Sequence, residues 1–337
     1  MADHATRTRS HGTQPPGLWR WPLALLSPAG TRARLTVLIF HRVRPARDPL
    51  FPRELDADAF RDRLSWLRAW CNVLPLDDAV DALARGTLPA RAAAITFDDG
   101  YADNHDVALP ILREMGLPAT FFIATGFLDG GRMWNDTVIE AIRSTARPTL
   151  ALDAAGLGSF DLPSVEARRA AVMKVIAALK HRPPAEREEA VAHVADVAGV
   201  DLPADLMMSS DKVRRLAAAG MGIGAHTITH PILAAADDAL ARREIGGSRE
   251  ILEGLVRRPV RLFAYPNGRP NADYRARHVA MVKEAGFSAA FSTAIGAATG
   301  ADARYELPRF TPWGTSATHW GVRLARNCVA PIVRAAA

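Results

Sequence analysis

Two pairs of residues in this chain have the types and the spacing for metal-assisted hydrolysis. Asp98 and Asp99 stand side by side directly before Gly100, and His226 and His230 are four residues apart. Adjacent carboxylates repel each other unless a cation lies nearby. One carboxylate and two imidazoles can bind a divalent ion and leave coordination positions open for water and substrate. The second carboxylate would then stay ionised and free to take a proton from water that the metal activates.

The sequence around each pair predicts a buried strand that ends at the chemically competent residues. Residues 92–97 form a short apolar run before Asp98, and residues 221–225 form a similar run before His226. The carboxyl ends of parallel strands are where α/β folds hold their active sites. A helical turn over residues 226–230 would project both imidazoles to one side. Each pair alone is common in turns, but two pairs that both close apolar runs favour a catalytic site.

Alternating strand and helix patterns in the rest of the chain predict an α/β barrel that positions these residues. Helices at 56–70, 77–85 and 105–115 lie between strand-like runs, and Gly116, Gly220 and Gly286 each end a helix before a strand. Strand–helix alternation with right-handed crossovers predicts a parallel sheet closed into a barrel. The seven predicted strands are 35–40, 72–76, 92–97, 119–124, 221–225, 260–265 and 287–292.

The domain prediction has three parts. Residues 1–34 are a flexible N-terminal segment, residues 35–312 are the barrel, and residues 313–337 are a helical C-terminal tail. Between the fourth and fifth strands lies a helical insertion, residues 140–210, with two alanine-rich amphipathic helices at about 164–181 and 184–198. We interpret the helical insertion as a packing cap, with a substrate-facing lid as the alternative.

Residues 96–100, Thr-Phe-Asp-Asp-Gly, and residues 226–230, His-Thr-Ile-Thr-His, resemble motifs of carbohydrate esterase family 4. These are the polysaccharide deacetylases with the NodB homology domain. The resemblance covers roughly residues 35–312 and implies a distorted (β/α)7 barrel, in agreement with the strand count. It also implies Asp98 as general base and Asp99, His226 and His230 as metal ligands. The residues alone do not decide which aspartate has which task, since adjacent side chains on an extended strand point apart. Zn²⁺ is the expected ion, with Co²⁺, Ni²⁺ or Fe²⁺ as alternatives.

Amide hydrolysis also needs an acid, because the leaving amine must be protonated as the C–N bond breaks. Residues 40–43, Phe-His-Arg-Val, are similar to the N-terminal motif of circularly permuted exopolysaccharide N-deacetylases, which implies His41 as the acid. The more usual family layout places the acid in a Leu-x-His motif near the C-terminal end of the domain, and this chain has no such motif. His319 is the alternative acid.

One motif departs from the family pattern. The family has Arg-x-Pro-Tyr-Gly where residues 263–268 read Phe-Ala-Tyr-Pro-Asn-Gly, so Ala264 stands in place of the arginine that orients the base. Arg309, just beyond the last strand, is our hypothesis for its substitute. The resemblance also implies the backbone N–H of Asn267 as an oxyanion donor.

Aromatic side chains near the motifs are candidates for a sugar groove. Tyr101, Trp134, Asn135 and Trp313 are expected to line it, with a place in the core as the alternative.

The leading functional hypothesis is removal of N-acetyl groups from an exopolysaccharide. Two alternatives stay open: an amidohydrolase acting on a small amide or a lipid-linked sugar precursor, and a non-catalytic carbohydrate-binding module.

Composition limits the partners. The formal charge is +6, but only four of the 42 basic residues are lysine, and the arginines are scattered without a nucleic-acid-binding motif. We therefore expect no nucleic-acid partner.

The sequence also bears on location. No run approaches the roughly 18 apolar residues of a membrane span, and a convincing signal peptide is missing. We therefore expect a bacterial protein that is cytoplasmic or peripheral to the membrane, with residues 19–26 resting on the membrane surface or on the barrel. Cys71 and Cys328 are interpreted as isolated thiols, with a disulfide as the alternative.

Overall fold

Seven parallel strands form the central sheet of the computed structural model, which describes residues 17–311, 314 and 316–335. The strands are β1 (Thr36–Phe40), β2 (Asn72–Val73), β3 (Ala92–Phe97), β4 (Thr120–Ile123), β5 (Gly222–Ala225), β6 (Leu262–Ala264) and β7 (Ala289–Phe291). They follow the order β1-β3-β4-β5-β6-β7, and β2 pairs with the first residues of β3. All seven predicted strands are therefore confirmed.

Residues 307–310, the closing segment, connect the two ends of this sheet. Leu307 pairs in parallel with Phe291 of β7, and Phe310 pairs in parallel with Leu38 of β1. The backbone N–H of Phe310 donates to Val37 at 2.8 Å, which extends the ladder on β1. The sheet is thus curled into a distorted (β/α) barrel, as predicted.

The helices lie outside the sheet. They are α1 (Arg20–Leu26), α2 (Ala57–Trp70), α3 (Leu76–Arg85), α4 (Leu109–Glu114), α5 (Trp134–Ser144), α6 (Val165–Leu179), α7 (Pro184–Ala198), α8 (Ser210–Ala218), α9 (Asp238–Val256), α10 (Ala276–Glu284) and α11 (Ala317–Val329). The Asp56 carboxylate caps α2 by accepting the N–H of Ala59 at 2.7 Å. Gly116, Gly220 and Gly286 have φ angles of 65°, 82° and 82°, so the predicted left-handed helix ends are confirmed. The helix predicted over 105–115 begins instead with a π-helical segment, Asn104–Ala108.

Aromatic packing beneath the carboxyl end of the barrel gives the site a rigid base. Phe97, the last residue of β3, stacks on Phe121 with ring centroids 4.8 Å apart. Phe40 and Phe60 meet edge to face at 5.4 Å, and both contact Phe97. Every residue of β1 and β3 is buried, as expected for strands covered on both faces.

The helical insertion has an apolar cluster of its own, the insertion cluster. It is built from α5, α6, α7 and a hairpin that pairs Thr149–Ala151 with Ser159–Asp161. Leu50, from the loop after β1, is buried in the same cluster. The helices predicted at 164–181 and 184–198 are thus present as α6 and α7, and they pack against the barrel domain through this shared core.

The N-terminal segment differs from the prediction in its second half. Residues 1–16 lie outside the described part of the chain. Residues 17–34 include α1 and are packed on the domain, because the ring centroids of Trp19 and Trp70 are 6.4 Å apart and Leu23 is buried. Burial of these two apolar side chains against α2 and α11 stabilises the segment, and it is the barrel contact expected as one alternative for residues 19–26. Cys71 and Cys328 are both free thiols. Among the described helices, none has the length and apolar character needed to cross a bilayer.

Candidate active site

Asp99, His226 and His230 lie together where β3 and β5 end. The Asp99 Oδ1 atom is 3.5 Å from His226 Nε2 and 3.4 Å from His230 Nε2, and all three donor atoms lie within 4.8 Å of one another. Two ligands bound tetrahedrally at the usual zinc distances are about 3.4 Å apart. The centroids of the two imidazole rings are 4.8 Å apart, and the ring planes are inclined by 59°. This donor set fits a single divalent ion and brings together the three predicted ligands.

The histidine motif does not form the predicted helical turn. Thr227 and His230 have left-handed φ angles of 66° and 56°, which are uncommon for residues other than glycine and costly for a β-branched one. The buried Glu244 of α9 stabilises this loop by accepting the N–H groups of Ile228 and Thr229 at 2.7 and 2.8 Å. The prediction was wrong because a distant carboxylate, and not local helix formation, sets the loop's shape.

The two aspartates separate because both follow the end of β3 and the chain turns at Asp99. Asp99 has a φ angle of 75°, so the predicted alternation of side chains along an extended strand does not apply to it. Gly100 follows with φ 92°, and a Cβ atom there would lie 3.2 Å from Ile123 Cγ2. The turn therefore requires glycine, and it directs Asp99 to the histidines while Asp98 faces the closing segment.

Asp98 forms a buried bidentate ion pair with Arg309. Arg309 Nη1 lies 2.6 Å from Asp98 Oδ1, and Nη2 lies 2.7 Å from Oδ2. The arginine is fully buried in the closing segment, where it also donates to Thr96 Oγ1 and the Ser292 carbonyl at 3.3 Å each. Burial alone would raise the pKa of Asp98, but the guanidinium outweighs it and the pKa is lowered. Asp98 is therefore ionised at neutral pH, and Arg309 is not a surface cation.

Ala264 contributes through its backbone at the position where the family has arginine. Its carbonyl oxygen lies 2.7 Å from His226 Nδ1, and because a carbonyl can only accept, that nitrogen carries the proton. Nε2, which faces Asp99, is then the nitrogen of His226 that can bind a metal once it carries no proton. A histidine ligand held by an outer hydrogen bond is the usual arrangement in metal sites.

The charges of the cluster shift the histidine and aspartate pKa values in different directions. Burial would lower the pKa of His226, but Asp98 and Asp99 outweigh it, so the pKa is raised. Burial lowers the pKa of His230 to about 4, which leaves it neutral at pH 7. The pKa of Asp99 is lowered, since His226 and His230 outweigh its burial. Asp99 is thus an anionic donor and His230 a neutral one, as metal binding requires.

His41 follows β1 directly beside the aspartates. Strand register pairs Phe40 with Phe97, and the Phe40 carbonyl accepts the N–H of Asp98 at 2.9 Å. The His41 imidazole is exposed, and its charge is among the weaker influences that lower the pKa of Asp98, after Arg309 and His226. His319 is exposed on α11, a helix that packs against α1. His41 thus lies at the end of the barrel that carries the aspartates, whereas His319 lies on a helix outside the sheet.

The remaining predicted residues have different surroundings. Tyr101 is buried, and its hydroxyl donates to Asp136 Oδ1 at 3.2 Å. Trp134 opens α5, half-buried, with the Arg187 guanidinium 5.1 Å above its ring. Asn267 lies in the turn after β6 with φ 57°, and no acceptor in the described part of the chain takes its N–H. Trp313 lies outside the described residues.

Sequence analysis missed three polar residues that shape the site. Asp103 and Asn104 belong to the same run as the aspartates, and they hold the backbone of residues 41–43 through hydrogen bonds of 2.7–3.2 Å. The sequence signal that could have placed Asp103 and Asn104 near the site was their position, four and five residues after Asp99. Glu244 gave none, because it is a single glutamate on an amphipathic helix.

Comparisons with known proteins agree with this geometry. A model of the polysaccharide deacetylase family matches residues 85–152 and 171–290, together more than half of the chain, and the gap falls in the helical insertion. The poly-beta-1,6-N-acetyl-D-glucosamine N-deacetylase of Staphylococcus epidermidis is 30% identical over 77 residues, which are 23% of this chain and 27% of that protein. The chain spans about a third or less of the length of the curated relatives that it matches.

Two solved structures share the fold at low sequence identity. IcaB from Ammonifex degensii is 19% identical with a TM-score of 0.56, and the alignment covers 89% of this chain and 98% of that one. The Streptococcus pyogenes deacetylase PplD is 18% identical with a TM-score of 0.56, covering 83% and 92%. At these identities the likeness establishes the barrel architecture over nearly the whole chain.

Proposed function

Because the chain belongs to the polysaccharide deacetylase family, we propose that it is a hydrolase that removes N-acetyl groups from an aminosugar polysaccharide of the exopolysaccharide type. The observation that carries this proposal is the Asp99, His226 and His230 donor set beside the ion-paired Asp98. The staphylococcal relative, named for poly-beta-1,6-N-acetyl-D-glucosamine, supports the choice of substrate. The intact donor set speaks against a carbohydrate-binding module without activity.

Asp99, His226 and His230 would hold the metal, for which Zn²⁺ is our first choice. When bound, the ion supplies Lewis-acid polarisation of the acetyl carbonyl and makes water acidic enough to ionise near neutral pH. Asp98 takes the proton that water loses as its oxygen bonds to the acetyl carbon. Arg309 keeps that carboxylate ionised and fixes its plane through two parallel hydrogen bonds.

His41 would donate a proton to the amide nitrogen as the C–N bond breaks, so that the products are acetate and a free amino sugar. The backbone N–H of Asn267 would donate to the carbonyl oxygen as negative charge develops there. Support for this second role is the unused N–H of Asn267 in the turn that follows β6, at the same end of the barrel as Asp98.

Metal analysis combined with acetate release tests the proposed function. We expect the purified protein to release acetate from β-1,6-linked N-acetylglucosamine oligomers, to lose this activity on chelation and to recover it with Zn²⁺. Peptidoglycan and chitin fragments and a monomeric N-acetylated sugar serve as alternative substrates. Sugar binding without acetate release would indicate a binding module, and release from the monomer alone would indicate a small-amide hydrolase.

Metal binding should become stronger as the pH rises. Below its raised pKa His226 is protonated, and the proton must leave Nε2 before that atom can bind a metal, whereas His230, with a pKa of about 4, is already neutral. We expect the Zn²⁺ dissociation constant to fall by about tenfold per pH unit on the acidic side of the His226 pKa and then to level off. Isothermal titration between about pH 6 and pH 8 measures this slope. An affinity independent of pH over that range would contradict the assignment of His226 as a ligand, and His226→Ala is the control that should abolish binding.

Replacement of His41 by alanine should impair amide hydrolysis selectively. We expect kcat for acetate release from the oligomer to fall by about 10²-fold, the lower end of the range for general acid–base catalysis. Hydrolysis of 4-nitrophenyl acetate should change little, because its phenolate leaves without a proton. His319→Ala is the matched control and should leave both rates unchanged. If acetate release fell in His319→Ala and not in His41→Ala, the acid role would belong to His319.

We also propose that the protein is cytoplasmic or peripheral to the membrane, and that residues 19–26 contact the membrane surface. Only some side chains in this segment, and Leu18 just before it, are exposed and available for such contact. Leu18, Trp21 and Leu25 are 73%, 81% and 83% exposed, whereas Trp19 and Leu23 pack inward. We expect the protein to sediment with anionic lipid vesicles and Trp21→Ser to weaken this binding. Equal binding by wild type and variant would remove residues 19–26 from the interface.

A further inference from the structure

The loop that carries His41 is fixed at one end by the segment that follows the two aspartates. This β1 loop comprises residues 41–51. The Asn104 side-chain amide donates to the His41 carbonyl at 2.7 Å, and the Asp103 carboxylate accepts the N–H of Val43 at 3.2 Å. These bonds hold the backbone beside the imidazole, and the Arg42–Asp103 ion pair and the buried Val43 side chain also hold the start of the loop on the barrel. Residues 48–50, at the far end of the loop, contact the helical insertion instead.

An ion pair from the helical insertion holds the far end of the β1 loop. Arg143 Nη1 and Nη2 lie 2.8 Å from Asp48 Oδ1 and Oδ2, a bidentate pair in which Asp48 is 7% exposed. Asp48 also accepts the N–H of Leu50 at 2.8 Å. Although burial would raise the pKa of Asp48, hydrogen bonds from Arg143 and Leu50 lower it to about 2, so the pair stays charged at neutral pH.

Two further contacts join the helical insertion to the same stretch of loop. Arg169 of α6 donates to the backbone carbonyls of Leu50 and, at 2.9 Å, of Pro49. The Leu50 side chain is buried in the insertion cluster, and Phe51 packs beside it. Opening the helical insertion as a lid would break the Arg143–Asp48 pair and expose Leu50, so these contacts favour a fixed support over a moving cover.

We propose that the helical insertion positions the catalytic acid, with Arg143 and Arg169 as the positioning residues that hold residues 48–50 so that the His41 imidazole meets the leaving amine. This inference rests on the proposed function, since it takes His41 to be the acid. The physical reason is that His41 is exposed, so the place of its imidazole depends on the backbone of its loop. A displacement of about 1 Å of a catalytic group can cost about 10²-fold in rate.

The test compares neighbouring arginines on one helix. Arg169→Ala removes bonds to the β1 loop, whereas Arg168→Ala removes a bond of 2.6 Å to the Ile142 carbonyl that stays inside the helical insertion. We expect Arg169→Ala and Arg143→Ala to lower kcat for acetate release from the oligomer by about tenfold or more, with KM and 4-nitrophenyl acetate hydrolysis little changed. Arg168→Ala should leave both rates near wild type. If Arg143→Ala does not fold, Arg143→Lys keeps the charge but not the two parallel bonds, and should show a smaller loss of the same kind.

A double variant separates positioning from general weakening of the fold. In a His41→Ala background, Arg143→Ala should lower amide turnover no further, because the group it positions is gone. An additional loss there, or equal losses on amide and ester, would overturn the inference while leaving the acid assignment intact. Amide turnover that is insensitive to His41→Ala would overturn the acid assignment and this inference with it.

Discussion

Replacing Asp98 by asparagine is expected to lower kcat for acetate release by up to about 10⁴-fold, the upper end of the range for general acid–base catalysis. The asparagine amide has nearly the shape of the carboxylate but cannot accept a proton from water. Zn²⁺ binding should persist, because the three donor atoms on Asp99, His226 and His230 are untouched. Steady-state kinetics on the N-acetylglucosamine oligomer and metal content by mass spectrometry measure the two quantities.

The variant Asp99→Asn, compared with Asp98→Asn, distinguishes the roles of the two aspartates. It removes the only carboxylate of the donor cluster, so we expect it to lose both the metal and the activity. Asp98→Asn should lose activity alone. If Asp98→Asn lost the metal and Asp99→Asn retained it, the two aspartates would have the reverse tasks, a choice that the sequence by itself leaves open.

Replacing Arg309 by alanine is expected to cost about 3–5 kcal/mol of stability, because it leaves the buried Asp98 carboxylate without its counter-ion. With the guanidinium gone, burial is left to raise the pKa of Asp98. The acidic limb of the pH–rate profile should therefore move to higher pH and turnover at neutral pH should fall. Urea unfolding and the pH dependence of kcat measure the two effects.

The sign of the pH dependence follows from the lowered pKa of Asp98 in the folded wild type. A depressed carboxylate pKa adds stability above the unfolded value of about 3.9, and this stability is lost as the pH falls through the folded value. The stability gap between wild type and Arg309→Ala should thus be largest near neutral pH and shrink in acid. Unchanged turnover in the variant would refute Arg309 as the partner of the base.

Arg304 offers a matched control for the loss of an arginine. It also pairs with an aspartate, Asp81, at 2.9 Å, but the Arg304 and Asp81 side chains are 38% and 29% exposed. Exposed ion pairs contribute about 0–1 kcal/mol, so Arg304→Ala should have a small effect on stability and none on the acidic limb. A comparable loss in both variants would indicate that the Arg309 effect is not specific to Asp98.

The strands and the site-bearing ends of β3 and β5 could be predicted because their signals are local. Each strand is a short apolar run, and Gly116, Gly220 and Gly286 mark the preceding helix ends within a few residues. The signal for the candidate site was also local, since the Asp98–Asp99 and His226–His230 pairs stand at the ends of two runs. Arg309 could be proposed from its place after the last strand, although its two bonds to Asp98 could not be foreseen.

The features that escaped prediction depend on residues far apart in the chain. The left-handed φ of Thr227 is maintained by Glu244, which is on another element, and no pattern in residues 226–230 announces it. Asp48 and Arg143 are 95 positions apart, and each alone resembles an ordinary surface charge. Nonlocal polar contacts of this kind leave no periodicity in the sequence, so only the folded chain shows them.

The position of Arg309 in the closing segment has a consequence for protein synthesis. Ribosomes release β1 to β7 before residues 307–310, so a nascent chain contains Asp98 well before the arginine that pairs with it. Asp98 therefore gains its counter-ion only when residues 307–310 dock between β7 and β1. Docking of this segment thus closes the barrel and lowers the pKa of Asp98 in the same step.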